Sequence, residues 1–354
     1  MFALIVLAAG CLIIRKTGSR TPLPYYEEMV QAATRMAACE EAVRAERFSR
    51  GLPMGEEDLL DTGLIGVSSS PITTTAGAPE AKRTAATSDM AALCVRLLRE
   101  AGVDSGDRIG ACFSGSFPGL NLAVACAADA IGAKLIYTAS VGASSYGANL
   151  PEFTSPEMLK LVYDKGLISQ APAAVTTGGD GDLGGNMIGV LLMEDDGLEK
   201  MWERLEKNGL SPVRIGDYRE NLAWRMRLYG EIDCFVNVGG NVAGMGRDER
   251  AYDRAQGLVQ DSGEPLSEKS GLIERYLRQG VPVIHLLNLK RLCTEYGIEY
   301  DPPLTPEIGK EPVYYRMAYS RTAILFTGIL AAAPIFLAAF EKRRIKAGTR
   351  KDRG

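Results

Sequence analysis

Histidine is almost absent from this chain of 354 residues. His285 is the only one, which excludes a His-rich metal centre. No C-x-x-C occurs among the seven cysteines, Cys11, Cys39, Cys94, Cys112, Cys126, Cys234 and Cys293. Their number is odd, and most sit in apolar runs such as IGACF and IDCFVNV, so they read as buried free thiols rather than disulfides or ligands. There is no Walker loop and no G-x-S-x-G turn, and the stretch GGNVAG at 239–244 misses the G-x-G-x-x-G spacing. The acidic loop GGDGD at 178–182 lacks EF-hand spacing. Asp180 and Asp182 are its candidate cation ligands, with a solvated surface loop as the rival reading. The sequence assigns no cofactor. A formal charge of −4 argues against a general nucleic-acid binder.

What is present is unevenly distributed. The last fourteen residues, EKRRIKAGTRKDRG, hold seven Lys or Arg against Glu341 and Asp352, a net +5, so the preceding chain carries −9. Thr322 to Phe340, TAILFTGILAAAPIFLAAF, is uncharged over nineteen residues. As a helix it would extend about 28 Å, near the thickness of a hydrocarbon core. Tyr314, Tyr315 and Tyr319 precede it like an interfacial belt, and Lys342, Arg343, Arg344 and Lys346 follow it. We therefore expect a transmembrane helix within 314–341 and a basic cytoplasmic tail at 342–354. Phe2 to Ile14, FALIVLAAGCLII, is a shorter apolar run of thirteen residues, and residues 1–20 read as a short N-terminal anchor. The larger basic excess belongs in the cytoplasm, which sends the main domain outward. Arg15, Lys16 and Arg20 on the domain side of the first run argue the other way.

Between these ends, 21–66 reads as a long amphipathic helix (EEMVQAATRMAACEEAVRAERF) followed by a Gly/Pro-containing acidic connection. Residues 67–313 read as one α/β domain. Short apolar strands end in Gly/Ser/Asn loops and lead into helices: RIGACF into SGSFPGLN, KLIYTAS into VGASSYGAN, APAAV into TTGGDGDLGG, EIDCFVNV into GGNVAGMG, and VPVIHLL into Asn288. This alternation predicts a mostly parallel sheet with helices on both faces, with its ligand site at the carboxyl ends of the strands.

Those ends carry the candidate site residues. Ser114, Gly115 and Ser116 precede a helix that starts near Pro118, where hydroxyls and free backbone amides suit a carboxylate or phosphate. A serine nucleophile at Ser114 or Ser116, or simple helix capping, are the alternatives. Ser140, Ser144, Ser145, Asn241 and Asn288 follow other strands and are expected to join the same cleft. Lys82 and Arg83, beside Thr73–Thr75, could supply positive charge to an anion or lie on an exposed helix face. His285, toward the end of a buried strand, is either a core residue or a general base for a serine.

The segments SSPITTTAGAPEAKRTA, GACFSGSFPGLNLAV, TASVGASSYGANLPEFT and VPVIHLLNLKRLCTEYGIEYDPP together resemble the poly-γ-glutamate system protein family, over roughly Pro22 to Pro303. That family accompanies the bacterial machinery for poly-γ-glutamate synthesis. The resemblance implies a membrane-associated accessory role in making or exporting the polymer. The partners it implies are poly-γ-glutamate or a glutamyl precursor, and other synthesis proteins. It carries over no catalytic residue. Family members begin with a fuller N-terminal membrane segment, and the short run here departs from that, pointing to a start further upstream. Three functions stay open: binding of a glutamyl group or chain end, a serine hydrolase or transferase acting on γ-glutamyl amides, and a non-catalytic scaffold for the membrane synthase. The acidic body disfavours a long polyanion track.

The charge asymmetry generates a topology prediction. A reporter that works only in the cytoplasm, fused after Gly354, should be active, and neutralising Lys342, Arg343, Arg344 and Lys346 should erode that orientation. Activity of a strictly extracytoplasmic reporter at the same position would reverse the assignment.

Overall fold

The computed structural model describes residues 2–184, 197–248, 253–260, 265–334 and 336. They form two compact units. One comprises the described residues up to Leu23 and from Tyr315 onward, the other the described residues from Pro24 to Tyr314.

In the first unit, helix α1 (Phe2–Thr17) leads into strand β1 (Ser19–Pro22). A helix over 321–334 belongs to the same unit. Gly10 packs so closely on Thr327 that a Cβ at Gly10 would lie 2.0 Å from Thr327 Cγ2, so only glycine fits there. Ile324, Leu325, Phe326, Ile329 and Leu330 are exposed. Among the described residues no helix is long and apolar enough to cross a membrane. The run Thr322–Phe340 is described only through Pro334 and at Phe336, so the rest of it and the basic tail lie outside the described residues.

The second unit opens with helix α2 (Tyr26–Ser49), whose stripe of Met29, Ala32, Ala33, Met36, Cys39 and Val43 is buried against later helices. Arg47 on the same stripe is wholly buried. It donates to the carbonyls of Pro53, Gly63 and Ile65, which fixes the irregular connection that follows. Pro79 then starts helix α3 (Pro79–Ala85), and α4 (Asp89–Glu100) ends just before Gly102. Next come β2 (Arg108–Phe113), α5 (Pro118–Ile131), β3 (Lys134–Ser140), α6 (Ser155–Asp164) and β4 (Ala174–Thr176). The second half contains α7 (Gly197–Lys207), α8 (Tyr218–Tyr229), β5 (Cys234–Val238), the single turn α9 (Val242–Met245) and β6 (Gly257–Val259). It closes with α10 (Leu272–Arg278), β7 (Val283–Leu286) and α11 (Leu289–Tyr296). The final strand, β8 (Tyr315–Ala318), returns to the first unit, where it pairs antiparallel with β1.

The six-stranded sheet has the order β4-β3-β2-β5-β7-β6. It is parallel except at its β6 edge, so the expectation of a mostly parallel α/β sheet holds. From β2 the chain steps outward through β3 to β4, and from β5 it steps the opposite way to β7. Right-handed crossovers that run in opposite directions put their helices on opposite faces. One face is filled by Cys112, Tyr229, Phe235, Ile273, Tyr276 and Val283, which belong to the sheet, α8 and α10. The neighbours β2 and β5 are therefore the point where the strand order reverses, and a crevice opens there at the carboxyl ends of the strands.

Candidate functional site

A cleft of about 760 Å³ lies at that edge, a volume suited to a small ligand. Every parallel strand of the sheet delivers residues to it. Ser114 and Ser116 follow β2, and Ser140 to Ser144 end β3. Gly179 and Asp180 follow β4, Gly240 and Asn241 follow β5, and Leu287 and Asn288 follow β7. The remaining wall is the segment from Thr74 to Ala81, with Lys82 and Phe117.

The wall is tied to the sheet by backbone pairing. Thr74 N–H donates to the Ala143 carbonyl at 2.8 Å, and Ser145 N–H to the Thr75 carbonyl at 2.9 Å. Asn149, wholly buried, acts as a clamp. Its Oδ1 accepts from Val67 N–H, while its Nδ2 donates to the Val67 carbonyl and to Thr73 Oγ1. This fixes the start of α3 beside the β3 loop and brings Lys82 to the cleft.

The serine loops are held against each other in the same way. Gly115 N–H donates to Ser140 Oγ, Ser116 N–H to Ser114 Oγ, and Ser144 N–H to Ser116 Oγ at 2.9 Å. The backbone of Gly115 passes so near the β3 loop that a Cβ would sit 2.8 Å from the Gly142 carbonyl oxygen. The amides that the sequence offered to an anion at Gly115 and Ser116 are thus taken up inside the loop. The charge comes from Lys82 instead.

Lys82 is 4% exposed. Its Nζ donates to the Ser116 carbonyl at 2.6 Å and to Ser144 Oγ at 2.7 Å, and it lies 3.5 Å from the centroid of the Phe117 ring. Among the described residues it has no carboxylate partner within ion-pair distance. Burial alone pushes its pKa down to about 7. Its sequence neighbour Arg83 is different. That guanidinium pairs with Asp301 at 2.7 Å and with Glu57 at 2.6 Å, so it is neutralised within the fold and supplies nothing to the cleft.

His285 does not line the cleft. It is wholly buried in β7, and its Nδ1 accepts from Asn237 Nδ2 at 3.1 Å. That bond puts the ring proton on Nε2, which has no hydrogen-bond partner among the described residues. Burial, with Arg254 nearby, lowers its pKa to about 4. The expectation that His285 shares the cleft as a base for Ser114 or Ser116 is corrected: the ring sits one layer behind, reaching the cleft only through Asn237, whose Oδ1 accepts from Asn241 Nδ2. Asn241 and Asn288 do line the cleft, but both cap helix starts, accepting from the amides of Gly244 and Arg291. Ser145 is tied to Thr75 and is not among the lining residues.

The acidic loop also turns out differently. Asp182 is not poised for a cation. Its carboxylate accepts from Gly178 N–H and Asn221 Nδ2 and pairs with the buried Arg225. Arg225 in turn donates to Thr138 Oγ1 on β3 and Thr176 Oγ1 on β4. No cluster of three or more potential metal ligands occurs among the described residues. Phe117 was not among the candidate site residues, and Thr74 and Thr75 stood out only as neighbours of Lys82. Nothing in an isolated phenylalanine marks it as a cation's neighbour.

Comparison with protein-family models finds no match, and comparisons with curated proteins and with solved structures find none either.

The pairing of Asp182 with Arg225 generates a stability prediction. Asp182→Asn keeps the shape but leaves a buried guanidinium uncompensated, a change that costs on the order of 3–5 kcal/mol. Urea unfolding followed by circular dichroism should show the midpoint fall accordingly. A midpoint equal to that of the wild type would mean that the pair carries no net stability.

Proposed function

We propose that this chain is a membrane-anchored accessory protein of poly-γ-glutamate synthesis or export that binds a glutamyl group or chain end in the cleft. The observation that carries the binding reading is Lys82, a buried lysine without an acidic partner among the described residues, on the wall of a hydroxyl-lined cleft. An uncompensated buried ammonium is costly, and an anionic ligand removes that cost. The cleft volume suits one or two residues of a polymer rather than a long track, in keeping with the acidic body. The glutamyl identity rests on the resemblance of the cleft-forming segments.

The membrane reading is supported by the apolar runs at both ends and by the exposed side chains of the helix over 321–334. Exposed apolar surface of this kind calls for a covering phase, and lipid is the simplest one. Close approach of small residues, as at Gly10 and Thr327, is the packing that membrane helices favour.

Protonation gives the binding reading a definite sign. A carboxylate beside Lys82 favours its charged form, so the pKa of Lys82 in the complex lies above the free value of about 7. Binding then takes up a proton, and affinity is greatest below pH 7 and falls as pH rises, by up to about tenfold per unit. Titrating the detergent-purified full chain with tri-γ-glutamate between pH 6 and 9 should show this fall. Ser116→Asp should abolish binding by giving Lys82 an internal counter-ion. Wild-type affinity in the Asp variant, or affinity that does not change with pH, would remove the cleft as an anion site.

A further inference from the structure

Lys82 and Ser144 are also placed for chemistry. Their polar atoms are 2.7 Å apart, the distance over which a proton moves between a base and a nucleophile. Ser144 is only 5% exposed, yet it lines the cleft. Its backbone is fixed by the bond from its N–H to Ser116 Oγ. Ser116 accepts that amide and so keeps its own hydroxyl proton to donate. An amine with no acidic partner among the described residues, surrounded by a ring face, a carbonyl and a hydroxyl, is free to give up its proton near neutral pH.

We propose that Ser144 is a nucleophile activated by Lys82, and that the cleft cleaves an amide bond whose acyl group is γ-glutamyl. The choice of acyl group rests on the function proposed above; the pairing of Ser144 with Lys82 does not. The neutral Lys82 amine takes the Ser144 hydroxyl proton as Oγ bonds to the acyl carbon. The Ser116 hydroxyl donates to the oxyanion. The C–N bond then breaks, and the Lys82 ammonium passes its proton to the departing amine. Water next attacks the Ser144 ester and gives its proton to Lys82, and the serine leaves with that proton. The balance is amide plus water to carboxylic acid plus amine. This replaces the pairing of Ser114 or Ser116 with His285, because His285 is not in the cleft.

The test uses the detergent-purified full chain and γ-glutamyl-p-nitroanilide. Wild-type protein should release p-nitroaniline with a kcat/KM that rises with pH and levels off above about 7, the value at which Lys82 of the free protein loses its proton. Acid quenching early in the reaction should trap one glutamyl group on the peptide that contains Ser144, seen by mass spectrometry. Ser144→Ala should abolish both the adduct and turnover. Lys82→Arg should turn over roughly 10²–10⁴-fold more slowly, because arginine cannot serve as the base. Thermal unfolding of each variant checks that it is folded. Tri-γ-glutamate binding with neither adduct nor release in the wild type overturns the nucleophile and leaves the binding function standing. Turnover that survives in a folded Ser144→Ala also overturns it, by placing the chemistry elsewhere. Release of p-nitroaniline through a Ser144 adduct, without tri-γ-glutamate binding, would uphold the nucleophile and remove the polymer-end ligand.

Discussion

A lysine ammonium buried beside a carbonyl, a hydroxyl and an aromatic ring, with no carboxylate partner among the described residues, is the constraint that shapes this cleft. Holding Lys82 charged there is costly. The fall of its pKa from 10.5 to about 7 corresponds to a penalty on the order of 5 kcal/mol for the charged form. A group so placed either meets an anion from outside or works as a neutral amine. Both roles need the same surroundings: a hydrogen-bond partner at fixed distance, little water, and no carboxylate paired with the amine. The Ser116 carbonyl and Ser144 hydroxyl provide the partners, and the Phe117 ring closes one side.

The fold supplies those surroundings through its topology. Reversal of strand order between β2 and β5 opens the crevice, and parallel pairing sends five strand ends to one edge. Loops at such an edge would be mobile if nothing tied them down. Here Asn149 clamps the strand-like segment before α3, the Ser114–Ser116 and Ser140–Ser144 loops hydrogen-bond to each other, and Arg225 with Asp182 pins the loop after β4 to the sheet. The polar side chains behind the cleft, Asn237 and His285, extend this support into the core. The cleft is thus preformed, and ligand binding need not first order its walls.

Much of this architecture was legible in the residue pattern. The runs RIGACF and KLIYTAS coincide with β2 and β3, because fully buried parallel strands are continuous apolar segments. The edge strand β6 was not legible: GLV is three residues long and begins with a glycine, too short for periodicity to register. Among the candidate site residues, Ser114, Ser116, Ser140, Ser144, Asn241 and Asn288, picked by their position after strands, line one cleft together with Lys82. What the pattern could not reveal was the partner each side chain finds in space. Lys82 and Arg83 are adjacent in sequence and alike in charge, yet Asp301, more than two hundred residues away, neutralises only Arg83. His285 lies at the right end of the right strand, but the alternation of side chains turns it into the core. Asp180 and Asp182 look alike as well, and only Asp182 meets Arg225.

On the proposed function Lys82, which has no carboxylate partner among the described residues, titrates near neutrality until an anion binds. Its ε-amine can be followed directly by NMR in protein labelled with isotopic lysine, assigned through Lys82→Arg, with and without saturating tri-γ-glutamate. A pKa near 7 is expected in the free protein, with an upward move of about one unit or more in the complex. A Lys82 that titrates in the ordinary range of free lysine, and does not move when tri-γ-glutamate is added, would contradict it.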